Sequence, residues 1–337
     1  MAVVTSLAWT AAETDGPDSF AVDLDDHQRS AIVDAARRLA ADGTTVADLW
    51  GQHVALPELA ETMASIDREV GHGSGLVVLR GMPIEELSDD ACAVGWHLAT
   101  AQLGSLRAQS GWGDLIGRVE YVDDGRAWRG YTKNKELNYH TDHADTVALL
   151  CVRQGAAGGL SRIVSQAAIH AIMADEDPEA LALVQHGFPY AWFDEAPPDA
   201  TGPVSDFNVP CLVEHEGRVQ GVYIQSFIHQ AAEDMGRTLT KAELEAVDLV
   251  RQIANWPGVA LEFRLEPGHA LIFDNLAMLH ARTAFDVPDG PEHRRLLYRL
   301  WYASQPPRPR HPGVAAYENA LMRAYGDPAL KVYAASV

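Results

Sequence analysis

Cysteine is scarce in this sequence: three scattered residues among 337. Cys92, Cys151 and Cys211 are odd in number and share no CxxC spacing, which excludes a disulfide framework and a zinc knuckle. We expect all three to be small, buried, apolar side chains. No segment holds the roughly 18 consecutive apolar residues of a membrane span, and residues 1–20 lack the basic start and apolar run of a signal peptide. The sequence therefore predicts a cytoplasmic protein without a membrane span.

Basic residues are also few, with 26 Lys and Arg against 47 Asp and Glu and a formal net charge of -21. This balance argues against binding to nucleic acid or to an anionic membrane by bulk electrostatics. It leaves room for a small anionic ligand, because a local group of arginines can override the mean field. The apolar content of 47% is ordinary for a globular protein. The predicted partner is a small-molecule substrate, and the sequence leaves the oligomeric state undetermined.

Helical patterns dominate the first 70 residues, and short strands dominate from about residue 115 onward. Helices are predicted over residues 23–42 and 56–70, and further helices begin at Ser88, Ser165 and Thr240. Runs of β-branched and apolar residues, many of them bounded by turn signals, predict the strands. The predicted strands cover residues 75–81, 116–122, 146–152, 160–164, 188–193, 209–213, 219–224, 260–264, 270–273 and 296–301.

The order of these elements indicates the fold class. Many short strands without regular strand–helix alternation favour an antiparallel jelly roll decorated by helices over a parallel α/β sheet. No internal repeat or low-complexity linker divides the chain. We predict one mainly β domain with helical decorations (α+β) over residues 1–337. It comprises a helical N-terminal segment (1–70), a jelly-roll core with helical inserts (75–303) and a C-terminal tail (304–337).

The pattern His140-x-Asp142, followed about 140 residues later by His280, is the main chemical motif. On an extended strand, residues two apart project from the same face, so His140 and Asp142 can reach one metal ion. Two imidazoles and one carboxylate leave half of an octahedron open, which is the ligand set of non-haem Fe(II) oxygenases. A His-x-Asp pair alone is weak evidence, since the chain has 14 histidines. The same three residues could also hold zinc and activate water.

Six segments, in order along the chain, carry a resemblance to a known family. Together they resemble the taurine dioxygenase-like (TauD/TfdA) Fe(II)/2-oxoglutarate oxygenases, on the side that includes clavaminate-synthase-like enzymes. The resemblance implies a double-stranded β-helix (jelly roll), with His140, Asp142 and His280 as Fe(II) ligands and with 2-oxoglutarate and O₂ as co-substrates. The six segments are residues 75–81, 137–142, 158–161, 266–275, 280–283 and 294–301.

The resemblance also implies residues that bind 2-oxoglutarate. Arg295 is expected to hold its distal carboxylate, because a guanidinium matches a carboxylate with two parallel hydrogen bonds. Arg299, four residues further on the same strand face, is expected to assist or to hold an anionic group of the substrate. Ser161 stands where the family usually has a threonine that meets a 2-oxoglutarate carboxylate. Arg294 should point away, and a register error of one residue would exchange it with Arg295.

The implied activity is hydroxylation of an unactivated C–H bond in a small amino acid or amino-acid-derived metabolite, with release of succinate and CO₂. Desaturation, cyclisation, and a sulfonate or other natural-product substrate are alternatives within the family. More distant alternatives are a non-catalytic metal-binding jelly roll and a zinc hydrolase. The segments before His140 and around residues 206–225 supply the candidate substrate-binding residues: Trp128, Tyr131, Asn138, Phe207, Tyr223 and Gln225.

Overall fold

A computed structural model describes residues 6–52, 54–122, 132–290 and 293–326 of the chain. Short strands and helices alternate irregularly along these residues. In chain order, the strands are β1 (Ala21–Asp23), β2 (Leu76–Arg80), β3 (Ser105–Leu106), β4 (Gly117–Glu120), β5 (Leu137–His140), β6 (Thr146–Arg153), β7 (Ser161–Ser165), β8 (Val213–His215), β9 (Arg218–Gln220), β10 (Leu261–Phe263), β11 (Ala270–Asp274), β12 (Met278–Arg282) and β13 (Leu296–Ala303).

Helices precede, interrupt and follow the strands. Several begin at the capping residues that the sequence indicates: the side chains of Ser88, Ser165 and Thr240 each accept a hydrogen bond from a backbone N–H of the first helical turn. In chain order, the α-helices are α1 (Asp26–Ala41), α2 (Ala60–His72), α3 (Asp89–Thr100), α4 (Gln166–Glu176), α5 (Pro178–His186), α6 (Gln225–Asp234), α7 (Lys241–Ala254) and α8 (Pro312–Tyr325).

Two sheets form the β-structure around the core. The larger sheet has seven strands in the order β1-β2-β11-β6-β13-β3, with β4 also paired to β13. The smaller sheet has four antiparallel strands in the order β10-β7-β12-β5, and β8 and β9 form a separate hairpin. Within the larger sheet the pairs are antiparallel except for the parallel pair β1 and β2. The chain is thus a mixed fold of sheets and helices.

The apolar side chains of the central strands explain why these strands lie in the middle of the larger sheet. β11 and β13 are buried along their whole length, and β6 is buried except at Leu149 and Arg153. These strands of five to eight residues are mostly apolar, which suits strands with both faces covered. α1 packs against α3, where Gly95 leaves room for Ala36. The sheets and the helices thereby share one apolar core.

The structure corrects several predictions. Residues 188–193 and 209–213 are wrong as strands, since they form only isolated bridges apart from the first residue of β8. The predicted strand 219–224 ends at Gln220. The short strand β5 and helix α6 were missed, and the predicted C-terminal tail contains helix α8. All three cysteines are buried and free, as predicted. Within the described ranges, no helix is long and apolar enough to cross a membrane.

Candidate metal centre

Two side chains that are close in sequence, His140 and Asp142, meet the distant His280 at the edge of the smaller sheet. His140 ends β5 and His280 lies in β12, and the register of these antiparallel strands places the two histidines directly opposite each other. Their ring centroids are 4.1 Å apart. Asp142 lies two residues after His140, with its carboxylate oxygens 4.0 Å from His140 Nε2 and 3.8 Å from His280 Nε2. One donor atom from each of the three lies within 4.8 Å of the others, as a shared metal ion requires.

The protonation of these groups suits a cation. Burial, with a smaller contribution from the neighbouring His140, lowers the pKa of His280 to about 3. Burial also lowers the pKa of His140, whose Nδ1–H donates to the carbonyl of Asn138 at 2.8 Å and leaves the Nε2 lone pair available. Burial alone would raise the pKa of Asp142, but Arg299 and the two imidazoles outweigh it and lower this pKa to about 2. At neutral pH the cluster therefore holds two neutral imidazoles and one carboxylate.

Donors from β13 fix the Asp142 carboxylate. Arg299 donates through Nη1 to both carboxylate oxygens at 3.0 and 3.1 Å, and Trp301 donates through Nε1 to Oδ2 at 3.0 Å. Gln109 accepts from Arg299 Nε at 2.9 Å and so orients the guanidinium. Hydrogen bonds of this kind hold a ligating carboxylate in one orientation.

The backbone around Asp142 is held by two further residues. Asn275, in the turn between β11 and β12, accepts from the Asp142 N–H at 2.7 Å and donates to the carbonyls of Asp142 and Ala144. Tyr223 exchanges hydrogen bonds with Thr141, since its N–H donates to the threonine hydroxyl and its carbonyl accepts from the Thr141 N–H. Asn275 therefore joins the segment that carries Asp142 to the strand that carries His280.

A cavity of about 50 Å³ extends from the two histidines between the two sheets. Ser161, Arg295 and Arg299 line it, so the structure brings the three residues predicted for 2-oxoglutarate beside the cluster. Arg295 is 3% exposed, and its Nε donates to Gln154 at 3.1 Å. A side chain at Gly159 would place its Cβ 3.0 Å from Arg295 Nε, which explains the glycine at this position.

Arg282 is a further residue of this cavity that the sequence reasoning did not select. It lies on β12 two residues after His280, is 5% exposed and lines the cavity with Arg295. Burial lowers the pKa of Arg282 to about 10, with a smaller contribution from the charge of Arg295. Burial likewise lowers the pKa of Arg295 to about 10. Both guanidiniums therefore stay charged at neutral pH. The same-face spacing from His280 was the available signal.

A second cavity, of about 590 Å³, opens on the other side of the cluster. His140, Asp142 and Arg299 form part of its lining, and the predicted substrate residues Asn138 and Gln225 line it as well. Its lining also includes the carboxylates of Glu136, Glu195 and Glu233. A volume of this size suits a small-molecule ligand.

Two predicted substrate residues lie elsewhere. Tyr223 is fully buried and its hydroxyl donates to the carbonyl of Val247 at 2.9 Å, so it belongs to the core. Phe207 packs against Trp192 and lines a different, smaller cavity. Neither residue lines the large cavity, because an aromatic side chain in a β-rich segment packs in the core as readily as in a pocket. Trp128 and Tyr131 lie outside the described residues.

The C-terminal helix α8 contributes to the large cavity, against the expectation of a simple tail. Tyr325 lines the cavity near its rim. Glu318 is buried and lies 3.3 Å from Arg107 and 3.8 Å from the Nδ1 atom of His143, which also lines the cavity. Burial alone would raise the pKa of Glu318, but the neighbouring His143 and the charge of Arg107 outweigh burial and lower it. The helix is therefore anchored by a buried charge beside the site.

Known proteins match this chain over most of its length. The model of the taurine catabolism dioxygenase TauD, TfdA family matches residues 40–301. FR-33289 synthase from Streptomyces rubellomurinus is 31% identical over 300 residues, covering 87% of this chain and 88% of the relative.

Solved structures share the fold. An asparagine oxygenase in complex with Fe(II), 2S,3S-3-hydroxyasparagine and succinate has a TM-score of 0.63 at 22% identity, covering 84% of this chain and 93% of that one. The non-heme iron oxygenase OrfP in complex with Fe and alpha-ketoglutaric acid has a TM-score of 0.60 at 15% identity, with the same coverages of 84% and 93%. OrfP also has a structure with Fe, succinate and (3S)-hydroxy-L-Arg.

Proposed function

The chain belongs to the taurine catabolism dioxygenase TauD, TfdA family, and we propose that His140, Asp142 and His280 are its Fe(II) ligands. As a member of this family it is an Fe(II)/2-oxoglutarate-dependent oxygenase. The observation that carries the assignment of ligands is the meeting of two neutral imidazoles and one carboxylate between two cavities. A 2-His-1-carboxylate face of this composition suits Fe(II) with positions left for co-substrate and O₂.

We assign the fold to the double-stranded β-helix class and treat the chain as one domain. Two sheets with mainly antiparallel strands support this assignment. The sheets face each other across the small cavity, which is lined by Leu149 and Leu271 of the larger sheet and by Ser161 and His280 of the smaller one. The shared apolar core, which extends from α1 to α8, supports a single domain.

The small cavity is the proposed site of 2-oxoglutarate. Arg295 is placed to bind its distal carboxylate, with Ser161 as a hydroxyl donor to the same co-substrate. Arg299 holds Asp142 and borders both cavities, so its role is to orient the metal-binding carboxylate and to present positive charge to the substrate.

When bound, iron and 2-oxoglutarate supply the oxidising chemistry, in which O₂ converts the keto acid to succinate and CO₂ and provides one oxygen atom for the C–H bond. The protein's own residues position and enclose the reactants. Trp301 and Arg299 hold the metal-binding carboxylate, while Asn275 holds the backbone that carries it. The substrate then faces the same cluster from the large cavity.

A small amino acid or amino-acid-derived metabolite is the proposed substrate. The large cavity combines the Arg299 guanidinium beside the cluster with carboxylates of Glu136, Glu195 and Glu233. Opposite charges within one cavity suit a ligand that carries both a carboxylate and an ammonium group. The asparagine and arginine products bound to the two structural neighbours support the same class.

The decisive experiment supplies the purified protein with Fe(II), 2-oxoglutarate and air, and screens amino acids and related metabolites. Succinate release together with a product mass gain of one oxygen is the expected result. A product that has lost two hydrogens would indicate that this enzyme catalyses desaturation or cyclisation. Turnover that is indifferent to both O₂ and 2-oxoglutarate would overturn the proposal in favour of a hydrolase.

A further inference from the structure

The small cavity contains more positive charge than is needed to bind one carboxylate of a keto acid. Four of its lining residues are arginines and none is Asp or Glu, in a chain with a net charge of -21. Two of these arginines already have carboxylate partners: Arg162 pairs with Glu136 and Glu262, and Arg299 pairs with Asp142. Arg282 and Arg295 have no carboxylate within salt-bridge distance among the described residues.

The hydrogen-bonding groups of these two arginines are also incompletely satisfied. Nε and Nη1 of Arg282 and Nη1 of Arg295 are buried without a hydrogen-bond partner in the part of the chain that the structure describes. Buried donors on charged groups are costly to leave unpaired, and an anion bound in the cavity would satisfy them. Because His280 and Arg282 project from the same face of β12, the unpaired donors lie in the cavity that begins at the metal-binding cluster.

We propose that Arg282 and Arg295 together bind the distal carboxylate of 2-oxoglutarate, with Arg282 as a second guanidinium anchor. This inference rests on the proposed function of the site. The cavity of about 50 Å³ exceeds the roughly 10–15 Å³ that one water needs, and its lining joins the two histidines to Arg282 and Arg295. Planar guanidiniums bind carboxylates with paired hydrogen bonds, and two of them satisfy both oxygens.

Arg282 also has a structural contact, which the test must separate from ligand binding. Its Nη2 donates to the carbonyls of Lys133 and Lys135 at 2.7 and 2.5 Å, and these precede β5. Arg282→Lys keeps the positive charge, while Arg282→Gln keeps an amide donor and removes the charge. Arg153→Gln is the matched control, because Arg153 lies on β6 and pairs with Asp89 outside the cavity.

The experiment titrates the Mn(II)-loaded protein, without O₂, with 2-oxoglutarate and separately with oxalate, using calorimetry. Oxalate chelates a metal through adjacent carboxylates and has no distal one. Arg282→Gln should weaken 2-oxoglutarate binding about 10- to 100-fold and leave oxalate binding within about twofold. Arg282→Lys should lie between wild type and Arg282→Gln, and Arg153→Gln should match wild type for both ligands.

Each other outcome counts against the inference. Unchanged 2-oxoglutarate affinity in Arg282→Gln overturns it, as does equal weakening of both ligands, which indicates a structural effect on the metal site. If Arg282→Gln does not fold, an Arg282→Lys variant that binds 2-oxoglutarate as tightly as wild type overturns it instead. A wild-type protein that binds oxalate but no 2-oxoglutarate overturns the proposed function itself.

Discussion

Several hydrogen-bond donors converge on the carboxylate of Asp142, the proposed metal ligand. Trp301→Phe removes the Nε1–H that donates to Asp142 Oδ2 and keeps an aromatic ring in the core. We expect the metal affinity to fall about 10-fold, since groups that orient a ligand commonly contribute 10- to 100-fold. Competition for Mn(II) with a coloured chelator measures the change. Trp50→Phe is the control, because Trp50 donates to the carbonyl of Leu106, away from the cluster. Equal losses in both variants would contradict the prediction.

The adjacent arginines immediately before β13, Arg294 and Arg295, give a matched pair of substitutions. Arg295 is 3% exposed and lines the small cavity, whereas Arg294 is half-buried and does not line it. Arg295→Ala should weaken 2-oxoglutarate binding by about 100-fold, because the distal carboxylate loses charged hydrogen bonds, and should leave metal affinity unchanged. Arg294→Ala should leave both affinities near wild type. The reverse pattern, measured by the same titrations, would show that the predicted register is off by one residue.

At the scale of elements, apolar runs were predictable and short polar strands were not. β6, β11 and β13 lie close to their predicted bounds because long apolar runs can only be buried. β5 has four residues, pairs only with β12 and carries the exposed Asn138. Its sequence pattern therefore cannot be distinguished from that of a loop. The predicted strand at 188–193 contains Tyr190 and Trp192, whose rings instead pack on Tyr317 of α8. Tertiary contacts there outweigh local strand preference.

In the site as well, residues related by local sequence spacing were predictable, whereas residues brought together by the tertiary fold were not. His140 and Asp142 are two residues apart, so their common face was predictable, and Arg282 could have been found by the same spacing from His280. Gln109 and Tyr325 reach the site from elements that local patterns cannot bring near it. Helix α8 itself was predictable, because Pro312 begins it, Gly326 ends it and apolar residues recur at helical spacing between them.

The anchoring of α8 leads to a stability prediction. Glu318→Ala removes the carboxylate that Arg107 faces at 3.3 Å, where the two side chains are 2% and 0% exposed. Breaking a buried ion pair on one side should lower the free energy of unfolding by about 3–5 kcal/mol. Urea unfolding measures the loss. Glu245→Ala in α7 is the control, since its pair with Lys241 is exposed and should contribute less than about 1 kcal/mol. A similar small loss in both variants would refute a structural role for the buried pair.

For the whole molecule, the two cavities define opposite approaches to one cluster. The small cavity contacts His140 and His280, the large cavity contacts His140 and Asp142, and Arg299 borders both. Under the proposed function, 2-oxoglutarate binds in the small cavity and the substrate in the large one. The acidic exterior and the arginine-lined interior are compatible because buried charges respond to close neighbours more than to the net charge.

Global stability should depend on pH through His97, which is remote from the cluster. His97 is 3% exposed in α3, its Nδ1 lies 3.1 Å from the Tyr302 hydroxyl, and burial lowers its pKa to about 4. The unfolded chain takes up this proton near pH 6.5 while the folded chain does not, so the contribution to stability falls as pH decreases from about 6.5 to 4. At pH 5 this loss is about 2 kcal/mol relative to pH 7.

The variant His97→Gln tests this dependence through the pH profile and not through stability at one pH. Because glutamine does not titrate, the difference in unfolding free energy between pH 7 and pH 5 should shrink by about 2 kcal/mol relative to wild type, whatever the packing cost of the substitution. Urea unfolding of both proteins at the two pH values gives the comparison. An identical pH difference in the two proteins would mean that His97 accepts its proton in the folded state as easily as in the unfolded chain.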